Sequence, residues 1–145
     1  MTKIFCDIAD LALIKKFNKK TIVDGFTTNP TLMRKARAKD YEEYSKKIIK
    51  ITNKPVSLEV FSDSIKGMII QGDIISKWGK NVYVKVPITN SKGNFTGRVI
   101  KYLNKRNIKL NITAVYTSNQ TNKILRNINR KTKVTISIFA GRMAD

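Results

Sequence analysis

The chain has 145 residues, 41% of them hydrophobic, and a formal net charge of +19 from 29 basic and 10 acidic residues. We expect one globular domain, residues 1–145. The single cysteine, Cys6, excludes an internal disulfide, and the absence of histidine argues against a zinc site or a Ser-His-Asp triad. No apolar run approaches the roughly 18 residues that cross a bilayer, so we expect a cytoplasmic protein with no membrane partner.

Short apolar segments alternate with longer amphipathic segments along the whole chain. Strands separated by helices of this kind form right-handed βαβ units and therefore a parallel sheet, either open or closed as a barrel. No Gly-x-Gly phosphate fingerprint is present, which favours the barrel. The predicted strands are residues 3–7, 22–26, 55–61, 81–87, 108–115 and 133–139, and the predicted helices are "DLALIKKFNKK", 31–52, 63–78, 94–106 and 118–129.

Polar residues interrupt or follow each predicted strand near its carboxyl end. In a parallel barrel these ends open on one face, so the side chains are expected to converge there. Singly, each has an ordinary explanation: Asp7 and Asn29 could cap the following helices, and Glu59 could neutralise Lys85. Their recurrence on six strands favours a site. The residues are Asp7, Thr27, Thr28, Asn29, Glu59, Lys85, Asn111, Thr113 and Ser137.

Lys85 lies in the middle of the apolar run "NVYVKVPIT", residues 81–89. Burying an ammonium group in such a strand is costly unless the group is paired or neutralised. One interpretation is that Lys85 lies at the exit of the strand and reaches water. The other is that a lysine among carboxylate, amide and hydroxyl groups, in a cavity poor in water, supplies the amine nucleophile of Schiff-base chemistry.

Six segments of the chain resemble, in order, the motifs of the transaldolases, especially the short bacterial branch related to fructose-6-phosphate aldolase. They are "FCDIAD", "GFTTNPTLM", "VSLEVF", "VYVKVPIT", "LNITAVYTSNQ" and "ISIFAGRMAD". The resemblance implies a (β/α)8 TIM barrel that uses no metal or cofactor. It also implies sugar phosphates as substrates, with a dihydroxyacetone unit transferred between them in a pathway of the pentose phosphate type.

The resemblance also implies a role for each matching residue. Lys85 would form the Schiff base, and Asp7 would move the proton of the C4 hydroxyl when the C3–C4 bond breaks. Glu59 and Thr113 would hold the water that shuttles protons while the imine forms. The substrate would be bound by Thr27, Asn29, Asn111, Ser137 and Arg142.

Two features depart from the family pattern. Ile138 stands where the family usually has proline, and the sequence ends at Asp145, after the sixth of eight strands. We therefore expect about six strand–helix units, the N-terminal three-quarters of a barrel, from a fragment or a truncated gene product. Strands without a neighbour on one side invite association, so we expect a homo-oligomer. We also expect lower activity than in a chain with two further units.

Three classes of function stay open at this point. The first is a transaldolase, and the second is a class I aldolase that releases free dihydroxyacetone. Glu59 argues against the second, because that branch tends to carry glutamine there. The third is a non-catalytic basic protein that binds polyanions. Since the lysines are scattered and no RNP-type or zinc-finger motif accompanies them, we expect no specific nucleic-acid partner.

Overall fold

The structure is a computed structural model that describes residues 2–140. Strands and helices alternate, with two helices between β2 and β3. The strands are β1 (Ile4–Asp7), β2 (Val23–Thr27), β3 (Val56–Glu59), β4 (Val82–Pro87), β5 (Leu110–Val115) and β6 (Val134–Ile138). The helices are α1 (Leu11–Asn18), α2 (Pro30–Lys35), α3 (Tyr41–Ile51), α4 (Ile65–Ser76), α5 (Gly97–Lys105) and α6 (Ser118–Leu125).

The strand order follows the chain, β1-β2-β3-β4-β5-β6, and neighbouring strands are joined by helical crossovers. β1, β2 and β3 pair in parallel, as do β4, β5 and β6. The predicted α/β fold with a parallel sheet is therefore confirmed, and each observed strand lies within two residues of its predicted bounds. Within residues 2–140, no helix is long and apolar enough to cross a bilayer.

Two compact units make up the chain. The first comprises Met1–Glu59 and Lys77–Tyr83, and the second comprises Val60–Ser76 and Val84–Asp145. Each has its own buried apolar core. That of the first unit includes Ile14, Val23, Phe26, Met33, Ile48, Val56 and Leu58, and that of the second includes Val84, Val86, Val99, Ile100, Leu103, Leu110, Ile112 and Ile124. The expectation of a single domain stays a prediction.

The predicted helix over residues 31–52 is wrong in one respect, because the structure divides it into α2 and α3. At the end of α2, the Arg37 N–H donates to the Arg34 carbonyl and the Ala38 N–H to the Met33 carbonyl. Arg37 has the left-handed φ of 59° that this helix-ending motif requires. Asp40 then begins α3 by accepting from the Glu43 N–H at 2.6 Å.

Candidate active site

Lys85 is the fourth residue of β4, and the structure buries it. Its residual exposure is 6%, and its neighbours Val84 and Val86 are fully buried. The interpretation in which Lys85 reaches water at the end of the strand is therefore wrong. Its backbone carbonyl accepts a hydrogen bond from the Val60 N–H at 3.0 Å, which holds this part of β4 in place.

Asn111 lies beside Lys85 on the neighbouring strand. The two residues are register partners between β4 and β5, so their side chains project from the same face of the sheet. Asn111 is 3% exposed, and its Oδ1 accepts a hydrogen bond from the Ser137 hydroxyl at 2.7 Å. The second unit thus brings together three of the predicted site residues.

Thr113 follows two positions later on β5, as the register partner of Pro87. Its residual exposure is 2%, and its Oγ1 has no hydrogen-bond partner among the residues that the structure describes. The next residue, Ala114, has a φ of 59°, and the register between β5 and β6 shifts between Ile112 and Val115. A non-glycine residue in the left-handed region is a strained feature of the kind found at functional sites. A buried, unpartnered hydroxyl beside it calls for a water or a ligand.

Asp7 and Thr27 form a second pair, in the first unit. They are register partners between β1 and β2, and the Thr27 hydroxyl donates to Asp7 Oδ1 at 2.6 Å. Asp7 is exposed, unlike the lysine. The suggestion that Asp7 caps α1 is wrong, because Asp10 is the N-cap residue and accepts from the Leu13 N–H at 2.8 Å.

Asn29 is the N-cap of α2, as its position after β2 suggested. Its Oδ1 accepts from the Leu32 N–H at 2.9 Å, and Pro30 occupies the first turn, where a missing N–H costs nothing. The capping hydrogen bond uses only Oδ1 of Asn29 and does not involve its amide nitrogen, Nδ2. Capping therefore fixes the direction of the side chain without excluding a role in binding.

Glu59 ends β3 and is half-buried. Its backbone carbonyl accepts a hydrogen bond of 2.8 Å from the hydroxyl of Tyr41, the first residue of α3. Burial raises the pKa of Tyr41 far above its ordinary value, and the negative charge of Glu59 acts in the same direction. The Trp78 ring packs against Tyr41, with 6.1 Å between the ring centroids.

The sequence interpretation missed Tyr41. Because it treated residues 31–52 as one helix, it had no reason to place this aromatic residue at a helix start. The signal was the adjacent Asp40, which is a favoured N-cap residue. Arg142, the predicted phosphate ligand, lies outside the described residues. Within the described residues, no three acidic or cysteine side chains are grouped as a metal site would need.

The structure has the fold class that the sequence predicts. It matches the crystal structure of N-acetylneuraminate lyase from Mycoplasma synoviae with a TM-score of 0.58 at 13% identity, over 97% of this chain and 55% of the lyase. At that identity the match concerns the fold alone. The prediction of a (β/α)8-barrel fold represented by about six strand–helix units is confirmed.

The sequence comparisons are more specific. The family model of Transaldolase/Fructose-6-phosphate aldolase matches residues 4–145. A protein named "Probable transaldolase" from Sulfurihydrogenibium sp. (strain YO3AOP1) is 35% identical over 143 residues, which are 99% of this chain and 62% of that protein. Another of the same name, from Nitrosopumilus maritimus (strain SCM1), is 41% identical over 118 residues, 81% of this chain and 51% of that protein.

The chain therefore belongs to the transaldolase/fructose-6-phosphate aldolase family. It spans about three-fifths of the length of the Sulfurihydrogenibium protein. The resemblance noted from the motifs is thus confirmed at the level of the family.

Proposed function

We propose that this chain carries the residues of a transaldolase that transfers a dihydroxyacetone unit between sugar phosphates through a Schiff base on Lys85. The observation that carries the proposal is the buried position of Lys85, at 6% exposure, in register with Asn111. A lysine does not occupy such a position for solubility. Membership of a family whose description includes transaldolase supports the proposal.

Lys85 acts as the nucleophile in this proposal. Its amine adds to the C2 carbonyl of a ketose phosphate, and the resulting carbinolamine loses its oxygen as water to give a protonated imine. The imine then accepts the electron pair released when the C3–C4 bond breaks, so no metal is needed as an electron sink. The buried hydroxyl of Thr113 supports this step, because it is suited to hold the water that carries protons during imine formation.

Asp7 is the acid/base group. Its carboxylate removes the proton of the C4 hydroxyl as the C3–C4 bond breaks, and it returns a proton to the acceptor's aldehyde oxygen in the reverse direction. Thr27 supports that role, since its hydrogen bond of 2.6 Å holds the carboxylate in one orientation. Glu59 assists proton transfer during imine formation.

The remaining predicted residues bind the substrate. Asn29, Asn111 and Ser137 hold hydroxyl groups of the dihydroxyacetone unit, and Arg142 binds the phosphate. Amide and hydroxyl groups serve the enamine intermediate well because they hydrogen-bond its oxygens without supplying an acidic proton. We also propose that the protein works in the cytoplasm, as a homo-oligomer, in a pathway of the pentose phosphate type.

A class I aldolase of the fructose-6-phosphate aldolase type is the second candidate, because the family description includes it. Incubation with fructose 6-phosphate separates the two reactions. A transaldolase releases no more than one equivalent of glyceraldehyde 3-phosphate until an acceptor aldose phosphate is added, and turnover then begins. Continuous release of free dihydroxyacetone without an acceptor would contradict the transaldolase proposal.

A further inference from the structure

The second unit has a strongly basic surface that the proposed reaction does not use. It is formed by the connections that precede β5 and β6, at the end of these strands opposite to Thr113 and Ser137. Both connections are free of acidic residues, as their sequences "KRNIK" and "RNINRKTK" show. We call its exposed cations the basic platform: Lys105, Arg106, Arg126, Arg130, Lys131 and Lys133.

Part of this charge has a structural explanation. Lys105, Arg106 and Arg126 lie at the carboxyl ends of α5 and α6, where cations are stabilised by the helix dipole. Arg106 also forms an ion pair with Asp73, with 3.2 Å between Arg106 Nε and Asp73 Oδ1. Neither the helix dipole nor the ion pair with Asp73 accounts for Arg130, Lys131 and Lys133, which lie beyond the last turn of α6.

The basic platform is built on an ordered backbone. The Asn129 N–H donates to Asn104 Oδ1 at 2.7 Å, and the Thr132 hydroxyl donates to the Asn104 carbonyl at 3.0 Å. Asn129 Oδ1 in turn accepts from the N–H groups of Lys131 and Thr132. Because these hydrogen bonds already hold the backbone of the loop, less conformational entropy is lost when its cations bind a ligand. This favours binding at the basic platform.

We propose that the basic platform binds the phosphate backbone of nucleic acid without sequence preference. Adjacent cations without acidic neighbours in the connecting loops are complementary to a regularly spaced polyanion. Arg106 lies over the ring of the exposed Tyr102, with 5.5 Å between its Cζ and the ring centroid. Arg130, Lys131 and Lys133 supply charge alone, so their contacts are to phosphates. A membrane surface is a less suitable partner, because membrane binding also needs exposed apolar side chains. Among residues 105–133, Leu125 is the only large apolar residue that is exposed. The proposal does not depend on the reaction.

The test compares two variants of equal charge. In the platform variant, Arg130→Gln, Lys131→Gln and Lys133→Gln are combined. In the matched control, Arg98→Gln, Lys66→Gln and Lys101→Gln remove one arginine and two lysines from exposed helical positions of the same unit. Fluorescence anisotropy then measures the affinity of each for a labelled single-stranded RNA and a DNA duplex of about 20 nucleotides or base pairs, over a range of salt concentrations.

The platform variant should lose about tenfold or more in affinity at low salt. Its log–log salt dependence should become shallower by about 0.7 per lost contact for the single strand and about 0.9 for the duplex. The affinity of the control should stay within a factor of about two of that of the parent.

An equal loss of affinity in both variants would overturn the proposal in favour of diffuse attraction by net charge. Tighter binding to vesicles of anionic lipid than to either nucleic acid would also overturn it. Circular dichroism must show both variants folded. The single charge reversals Lys131→Glu and, as its control, Lys101→Glu provide the same comparison with a smaller structural change.

Discussion

The two units present their predicted catalytic groups in opposite environments. In the first unit, the Asp7 carboxylate is exposed and already bonded to Thr27. In the second unit, Lys85 and Asn111 are buried, and the Thr113 hydroxyl beside them has no partner among the described residues. A group that exchanges protons benefits from a defined partner and access to water, whereas an amine nucleophile benefits from exclusion of water. The contrast agrees with the different roles proposed for the two groups.

The largest effect is expected at Lys85. Lys85→Met replaces the amine with an apolar side chain of similar length that suits a buried strand, so turnover should fall to the background level while the protein stays folded. Lys66→Met, on the exposed face of α4, is the matched control and should keep full turnover. Turnover by Lys85→Met above about 1% of the parent would contradict the role of this lysine.

A large but incomplete loss of turnover is expected when Asp7 is replaced. Asp7→Asn keeps the shape of the side chain but removes the proton acceptor, so carbon–carbon bond cleavage should slow by roughly two to four orders of magnitude. Imine formation should continue, and the covalent adduct should accumulate. Asp10→Asn is the control, because asparagine caps a helix as well as aspartate does. If both variants cleave the substrate equally fast, Asp7 is not the acid/base.

Thr113→Val sharpens the contrast by separating stability from function. The Thr113 hydroxyl makes no hydrogen bond to the described residues, so its removal should leave the free energy of unfolding equal to that of the parent or higher by up to about 1 kcal/mol. Imine formation should slow by about tenfold because the proposed water loses its ligand. Thr132→Val is the control, since the Thr132 hydroxyl is also buried but donates to the Asn104 carbonyl. That variant should be destabilised, with unchanged imine formation. A destabilised Thr113→Val with normal kinetics would mean that its hydroxyl is structural.

The smallest effect concerns Tyr41 in the first unit. Its pKa is raised in the folded state above the ordinary 10.0, so its contribution to stability is complete below pH 10 and is lost as pH rises further. Tyr41→Phe should be less stable near neutral pH and should lose less stability between pH 9 and about pH 11 than the parent. Denaturant unfolding at each pH measures the change, with the exposed Tyr102→Phe as the control. If the free energy of unfolding depended on pH in the same way in the parent and in Tyr41→Phe, this account of Tyr41 would be contradicted.

The sequence was sufficient to predict the alternation of strands and helices, because each strand is an apolar run and each helix is amphipathic. It also predicted which strands carry Asp7, Glu59 and Lys85. It did not predict the break between α2 and α3, since Arg37 adopts a positive φ that sequence patterns assign to glycine. The lack of a hydrogen-bond partner for Thr113 was equally hidden, because it depends on the three-dimensional surroundings of the side chain.

The central claim is that Lys85 forms the covalent intermediate. The most direct measurement is borohydride reduction in the presence of fructose 6-phosphate, followed by intact mass and peptide mapping of the parent and Lys85→Met. We predict one reduced adduct per chain, located on Lys85 and absent from the variant. Adducts spread over several lysines, or an adduct that persists in Lys85→Met, would contradict the claim.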